Sequence, residues 1–238
     1  VKACGRYYPE RVDDVAWEND LTAFRAYGPA LQETGERAFG YDIWTKYNTT
    51  EPVVEARYEG ELNPDMKAKI AELGKTDPKA AQELYRSVSY HVDHGNGLDC
   101  YKVGPTLGGG TTALMAGDTI VYPYCYATQE ILDNGPLRFT VKLVYNPLVV
   151  KGDSTIIETR IITLDAGSYC NKTVVSYTNL KETMPLAVGI VLHEPDGAIV
   201  ADAANGYMTY VDPTDNAGGD NGKIFVGAAF PTLVKEAK

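Results

Sequence analysis

Leu137-Arg138-Phe139-Thr140-Val141-Lys142-Leu143-Val144-Tyr145 alternates apolar and polar side chains and breaks at Asn146-Pro147. Successive side chains of a strand point to opposite faces, so this period predicts a strand with one buried face. Working outward, strands are expected over residues 155–164, 170–178 and 186–193, separated by Gly152-Asp153, Asp165-Ala166-Gly167 and Met184-Pro185. A last strand is expected over 223–230. Upstream, residues 119–127 predict a strand with Tyr122, Tyr124 and Tyr126 on one face. Short strands with regular turn signals argue for antiparallel sheets packed as a sandwich.

The first half is less uniform. Trp17-Glu18-Asn19-Asp20 reads as a loop leading into a strand over 21–27, closed by Gly28-Pro29. Residues 62–88 are the clearest helical stretch. Asn63-Pro64 places a capping residue before a first-turn proline, and Met66, Ile70 and Leu73 recur at helical spacing until Gly74. Asp77-Pro78 repeats the start signal before Ala81, Leu84, Tyr85 and Val88. The expected organisation is one mainly β domain over 1–238 with a helical insertion at about 62–88 whose apolar stripe packs as core.

Composition narrows the function classes. A net charge of −10 with no run of Lys or Arg argues against a nucleic-acid partner, which needs a basic patch. No apolar stretch is long enough to span a membrane, and the start Val1-Lys2-Ala3-Cys4 carries no signal-peptide core. Cys4, Cys100, Cys125 and Cys170 lack the paired spacing of a zinc or redox site and suit either disulfides or buried thiols. Asn48-Thr49-Thr50 and Asn171-Lys172-Thr173 match the glycosylation sequon. The acidic run from Asp212 to Gly222 lacks the spacing of an EF-hand loop and reads as a turn.

Chemistry concentrates in Tyr90-His91-Val92-Asp93-His94-Gly95-Asn96-Gly97-Leu98-Asp99-Cys100-Tyr101-Lys102-Val103-Gly104. Two of the three histidines lie there among aspartates, tyrosines and a lysine, and the glycines allow tight bends that let polar side chains converge. The third, His193, stands at a strand end. Both tryptophans, Trp17 and Trp44, fall in a segment dense in Arg, Asp and Tyr, a composition that sugar sites use, with packing as core the equal alternative.

The runs Trp17-Glu18-Asn19-Asp20, Phe24-Arg25-Ala26-Tyr27-Gly28-Pro29, Gly40-Tyr41-Asp42-Ile43-Trp44 and Tyr90 through Gly104 resemble an uncharacterised bacterial family usually encoded among polysaccharide-degradation genes. The strand series from Phe139 to His193 resembles the galactose-mutarotase-type supersandwich. The resemblance implies an antiparallel β-supersandwich and a periplasmic or exported protein acting on sugars, uronic-acid oligosaccharides foremost.

The leading expectation is β-elimination on a uronic acid, by a lyase or a dehydratase. That reaction needs a base for the proton α to the carboxylate, a cation for the carboxylate and an acid for the leaving oxygen. His91 or His94 is the candidate base, with Asp93 or Asp99 orienting it. Arg25, with Arg6 or Arg11, is the candidate carboxylate clamp, and Tyr101 or Tyr41 the acid. Trp17, Glu18, Tyr41, Trp44, Lys102 and His193 are the candidate substrate contacts. The alternatives are a mutarotase or epimerase using His193 with Glu194, or His94, and a glycoside hydrolase with carboxylates among Asp13, Asp14, Glu18 and Asp42. A non-catalytic carbohydrate-binding module is the fourth. No cofactor is certain; a divalent metal on His91, His94 and a carboxylate is kept as an alternative, with no third ligand at diagnostic spacing.

Overall fold

The computed structural model describes residues 2–47, 51–194, 197–215, 221–231 and 234–236. The first half runs β1 (Ala3–Tyr8), β2 (Asp14–Asn19), β3 (Thr22–Ala26), α1 (Pro29–Glu33), β4 (Asp42–Lys46), α2 (Val54–Leu62), α3 (Pro64–Thr76), α4 (Pro78–Arg86) and β5 (Gly97–Asp99). β1 to β5 pair in chain order as one antiparallel sheet, with α2 to α4 inserted between its last two strands.

The second half is nearly all strand: β6 (Gly109–Ala116), β7 (Thr119–Val121), β8 (Tyr126–Asn134), β9 (Arg138–Tyr145), β10 (Leu148–Val150), β11 (Asp153–Asp165), β12 (Lys172–Thr178), β13 (Leu186–Ile190), β14 (Ile199–Asp202), β15 (Tyr207–Asp212) and β16 (Ile224–Ala229). A second five-stranded sheet runs β10-β11-β9-β8, with β12 also on β11, and β13-β6-β7 and β14-β15-β16 make two smaller sheets. The protein is mainly β with antiparallel ladders, as its alternation predicts.

Phe139, Val141 and Leu143 of β9 are wholly buried and pack against Val15, Trp17, Phe24 and Ala26 of the first sheet. Trp17 lies between Phe24 and Phe139, with ring centroids 6.0 and 6.3 Å apart and nearly parallel planes. An indole buries roughly 200 Å², worth about 5 kcal/mol at about 25 cal/mol per Å². This packing decides which way the first sheet faces. With Trp17 and Phe24 turned to the second sheet, Ala16, Ala23 and Trp44 turn the other way, under Val54 and Tyr58 of α2 and under Tyr90. Asp14, Arg25, Asp42 and Asp99 share that side.

Several expectations are corrected. Trp17-Glu18-Asn19 is strand, not loop, because its polar side chains find buried partners across the fold. The insertion begins at Val54 and holds three helices. Asn63 and Asp77 do cap α3 and α4, accepting from Met66 N and Ala80 N at 3.0 Å each, but α3 runs past Gly74 to Thr76. No residue of α3 is fully buried; Met66, Ile70 and Leu73 are half-buried, so its stripe is covered on one side only and is not core. The tyrosine strand breaks at Pro123: Tyr122 and Tyr124 are exposed whereas Tyr126 is buried. Residues 216–220 of the acidic run and the sequon asparagine at position 48 lie outside the described residues. All four cysteines are free thiols. No helix among the described residues is long and apolar enough to cross a membrane.

Candidate functional site

Arg25 stands directly opposite Asp42 in the β3–β4 ladder. Its Nη2 donates to the Asp42 carboxylate, to Asp99 Oδ2 at 2.7 Å and to Tyr27 Oη at 3.2 Å, and its Nη1 donates to Tyr58 Oη at 3.2 Å. Asp14 Oδ2 lies 3.8 Å from both Arg25 and Arg11. Asp42 also accepts from Ile43 N at 2.8 Å and Trp44 Nε1 at 3.3 Å. The three aspartates and Arg25 are all buried. Three carboxylates against the two guanidiniums of Arg11 and Arg25 leave one negative charge over.

Burial first, then the neighbouring Asp99 carboxylate, raises the Asp42 carboxyl well above the ordinary carboxylate range in spite of Arg25. Burial likewise pushes Asp14 up to about 6, against the pull of both arginines. Titrations displaced by burial and by specific charges make this cluster a candidate functional site. A carboxyl with a raised folded value binds protons more tightly in the folded than in the unfolded state. The stability it contributes is complete below the unfolded value of 3.8 and is lost as pH rises through the folded value. Resistance to urea should therefore fall as pH rises from about 5 to 8.5, and Asp42→Asn should flatten that slope. A midpoint that rises with pH over this range would contradict the assignment.

His91 connects the cluster to solvent. Its Nδ1 lies 3.2 Å from the backbone carbonyl of Asp99 and 3.7 Å from Asp99 Oδ2, the oxygen that also receives Arg25. A carbonyl only accepts, so in the neutral ring Nδ1 carries the hydrogen and Nε2 keeps the lone pair. The His91 side chain is 39% exposed. Its ring centroid is 4.4 Å from that of Tyr90, which stacks on Trp44 and receives a hydrogen bond from Arg11 Nε at 3.0 Å. Arg11, Tyr90 and His91 are thus contiguous at the cluster's edge.

The turn between Arg11 and Asp14 is strained: Val12 and Asp13 have φ of 45° and 65°, left-handed values that a β-branched valine rarely adopts. The hydroxyls of Tyr7 and Tyr126 donate to Asp13, and Ala30 N and Leu31 N bond Asp13 Oδ2 and Val12 O at 3.2 Å each. Gly28 makes the approach feasible, since a Cβ there would fall 1.8 Å from the Asp13 carbonyl oxygen. This turn fixes where Arg11 and Asp14 point.

The profile of a family described as "Domain of unknown function (DUF4861)" matches residues 1–238. The chain belongs to this DUF4861 family. The Uncharacterized protein P7 of Formosa agariphila is 29% identical over 217 residues, which are 88% of this chain and 48% of that protein. The chain spans about half the length of that curated relative. No solved structure matches it.

In this DUF4861 chain the sequence candidates separate. His91, Arg25, Trp44 and Asp42 come together. His94 is exposed, bonds Ser89 O through Nε2 at 3.0 Å and has no contact in the cluster. Asp93 holds a local turn, accepting from Gly95 N at 2.7 Å and Gly97 N at 3.4 Å. Trp17 is wholly buried, donating to Asn171 Oδ1 at 2.7 Å, and offers no ring face to a sugar. Trp44 is equally buried beneath Tyr90 and Tyr58. Tyr41 and Tyr101 are buried, Tyr101 donating to Gly108 O at 2.9 Å. His193 faces Asp212 Oδ2 at 2.5 Å and Lys102 O at 2.8 Å, so both ring nitrogens are engaged, while the Lys102 side chain is exposed. Among the described residues no group of three or more His, Cys, Asp or Glu is arranged to hold a metal.

Glu18 proves to be a tertiary cap. Its two oxygens accept from Val53 N and Val54 N at 2.8 and 2.9 Å at the start of α2, and one also pairs with buried Lys46 at 2.6 Å. Glu18→Ala strands that ammonium and those amides, and should cost about 3 kcal/mol in urea unfolding. A loss below about 1 kcal/mol would refute the capping role. Tyr58 escaped the sequence reading as a site member, and Tyr90 entered it only as the first residue of the His91 stretch. For Tyr58 the Val54/Tyr58 spacing of one helical turn was the local signal, and it begins before the expected insertion.

Proposed function

We propose that the protein is a carbohydrate-active enzyme acting on uronic-acid-containing oligosaccharides by β-elimination, as a lyase or a dehydratase, with His91 as its base. One observation carries the reading: a half-exposed imidazole tied through Nδ1 to the Asp99 carbonyl, its Nε2 left to take a proton, packed against Tyr90, whose hydroxyl accepts from Arg11. His91 Nε2 takes the proton α to the carboxylate. The electron pair of that C–H bond forms the new C=C bond, the bond to the leaving oxygen breaks, and that oxygen takes a proton. Arg11 replaces Arg25 as the carboxylate's cation, because Arg25 is buried and held by the aspartates. Tyr41 and Tyr101 are buried, which leaves the acid's part to the protonated His91 on the same face of the sugar.

Asp14, Asp42 and Glu18 are buried among partners, which disfavours a two-carboxylate glycosidase, and the engaged nitrogens of His193 disfavour an epimerase built on it. On the same reading the protein serves polysaccharide degradation, in the periplasm or outside the cell. Its two packed five-stranded antiparallel sheets are consistent with a galactose-mutarotase-type supersandwich. The test is ultraviolet absorbance during incubation with uronate-terminated oligosaccharides. A rise from the conjugated unsaturated uronate is expected; a flat trace across a broad panel would sink the reaction.

A further inference from the structure

The broken tyrosine run has a second use. Residues 36–39, before β4, and 122–125, between β7 and β8, are irregular chain at the surface. In each, the residue between two outward neighbours is buried: Ala38 and Pro123 turn in, whereas Arg37, Tyr122 and Tyr124 are exposed and Phe39 is half-buried. The outward side chains meet in pairs. Phe39 stacks on Tyr122, with ring centroids 5.1 Å apart and planes 26° from parallel, and the Arg37 guanidinium lies over the Tyr124 ring, 5.1 Å from its centroid. Side chains two positions apart on an extended chain lie about 7 Å from each other, so the two pairs are neighbours in one surface patch.

Gln32 of α1 fixes both segments. Its side chain is buried beneath them, with Nε2 donating to Ala38 O at 3.1 Å, and its backbone carbonyl accepts from the Tyr124 hydroxyl at 3.1 Å. A platform held in this way has little ordering left to lose when a ligand arrives. None of the three rings belongs to a core cluster. The Tyr122 hydroxyl and the Arg37 guanidinium make no hydrogen bond or ion pair among the described residues, so their donors are open to a ligand. Glu33 and Glu36, both exposed, flank Arg37 in sequence, so the patch has no surplus of positive charge to favour an acidic ligand.

We propose that this patch is a second binding site, for a neutral sugar whose apolar C–H face rests on the Tyr122 ring and whose hydroxyls accept from Arg37 and bond the Tyr122 hydroxyl. It shares no residue with the His91 cluster and stands independently of the elimination reaction. Its test is a titration of the isotope-labelled chain with glucose, galactose, xylose, rhamnose, cellobiose and xylobiose, followed by NMR. Saturable shifts of the amides of residues 36–39 and 122–126 are expected with at least one of these sugars, and they should persist in His91→Ala. Tyr122→Ser should weaken binding about tenfold, the scale of one lost ring contact, and Tyr122→Phe, which keeps the ring, should recover most of it. Arg37→Gln should weaken binding severalfold. Arg37 and Tyr122 are exposed, so all three variants should keep the parent's thermal midpoint to within a few degrees. Absence of saturable shifts with every sugar would overturn the proposal. So would undiminished affinity in Tyr122→Ser and Arg37→Gln, or shifts that vanish in His91→Ala. Binding confined to uronate oligosaccharides in a parallel titration would overturn it as well, because the patch would then be reading charge and not the neutral ring.

Discussion

His91→Ala is expected to lower elimination from uronate-terminated oligosaccharides by about 10²–10⁴-fold, the range over which a positioned general base acts. The loss should fall on kcat more than on KM, since in the proposed reaction the imidazole handles a proton and Arg11 supplies the charge contact with the carboxylate. Folding should be little affected, because the side chain is 39% exposed. The sequence ranks His91 and His94 equally, three positions apart, whereas the fold does not: only His91 touches Asp99. His94→Ala should thus stay within a few-fold of the parent chain. Rates measured by absorbance on both variants decide the matter. Full activity in His91→Ala would remove the base from this reading, and a large loss confined to His94→Ala would move the chemistry to the exposed loop.

The largest effect on stability is expected from Arg25→Met. The substitution keeps an unbranched side chain but leaves Asp42 and Asp99 buried without the cation both contact, and Asp14 with Arg11 alone at 3.8 Å. Removing one member of a buried ion pair costs about 3–5 kcal/mol, a large share of the roughly 5–15 kcal/mol that holds a typical domain together. The sign with pH follows from the carboxyl groups. Without Arg25 the folded values of Asp14 and Asp42, already raised by burial, climb further, so the folded state binds more protons than the unfolded chain and gains stability as pH falls. The variant should unfold at low urea near pH 8 and recover part of its midpoint near pH 5.5. A loss of less than about 1 kcal/mol at pH 8 would mean that the aspartates do not depend on Arg25.

The limits of local reading appear in particular residues. Period-two alternation located β9 and β11 to within two residues at each end, because each strand's buried face is written in its own side chains. Asn63-Pro64 and Asp77-Pro78 marked true helix starts, since a cap acts on an amide three positions away. Trp17 was left by the sequence equally open to core packing and to sugar contact. Its environment comes from Phe139 and Asn171, more than a hundred residues distant. Glu18 was legible as polar but not as the cap of a helix that starts at Val54.

The chain's own sequence determined a mainly β, antiparallel protein with inserted helices, an acidic net charge and a polar, histidine-bearing stretch around His91. Turns, caps and alternation are interactions over a few residues, and those suffice for elements and their types. Only the tertiary structure decided that Arg25 meets Asp42 and Asp99, 17 and 74 positions away, on the side of the first sheet opposite Trp17. It likewise decided that His91 and not His94 borders that cluster. Both outcomes turn on which face of each strand the inter-sheet core claims. Burial against a partner sheet makes that choice, and no short window of sequence contains the partner.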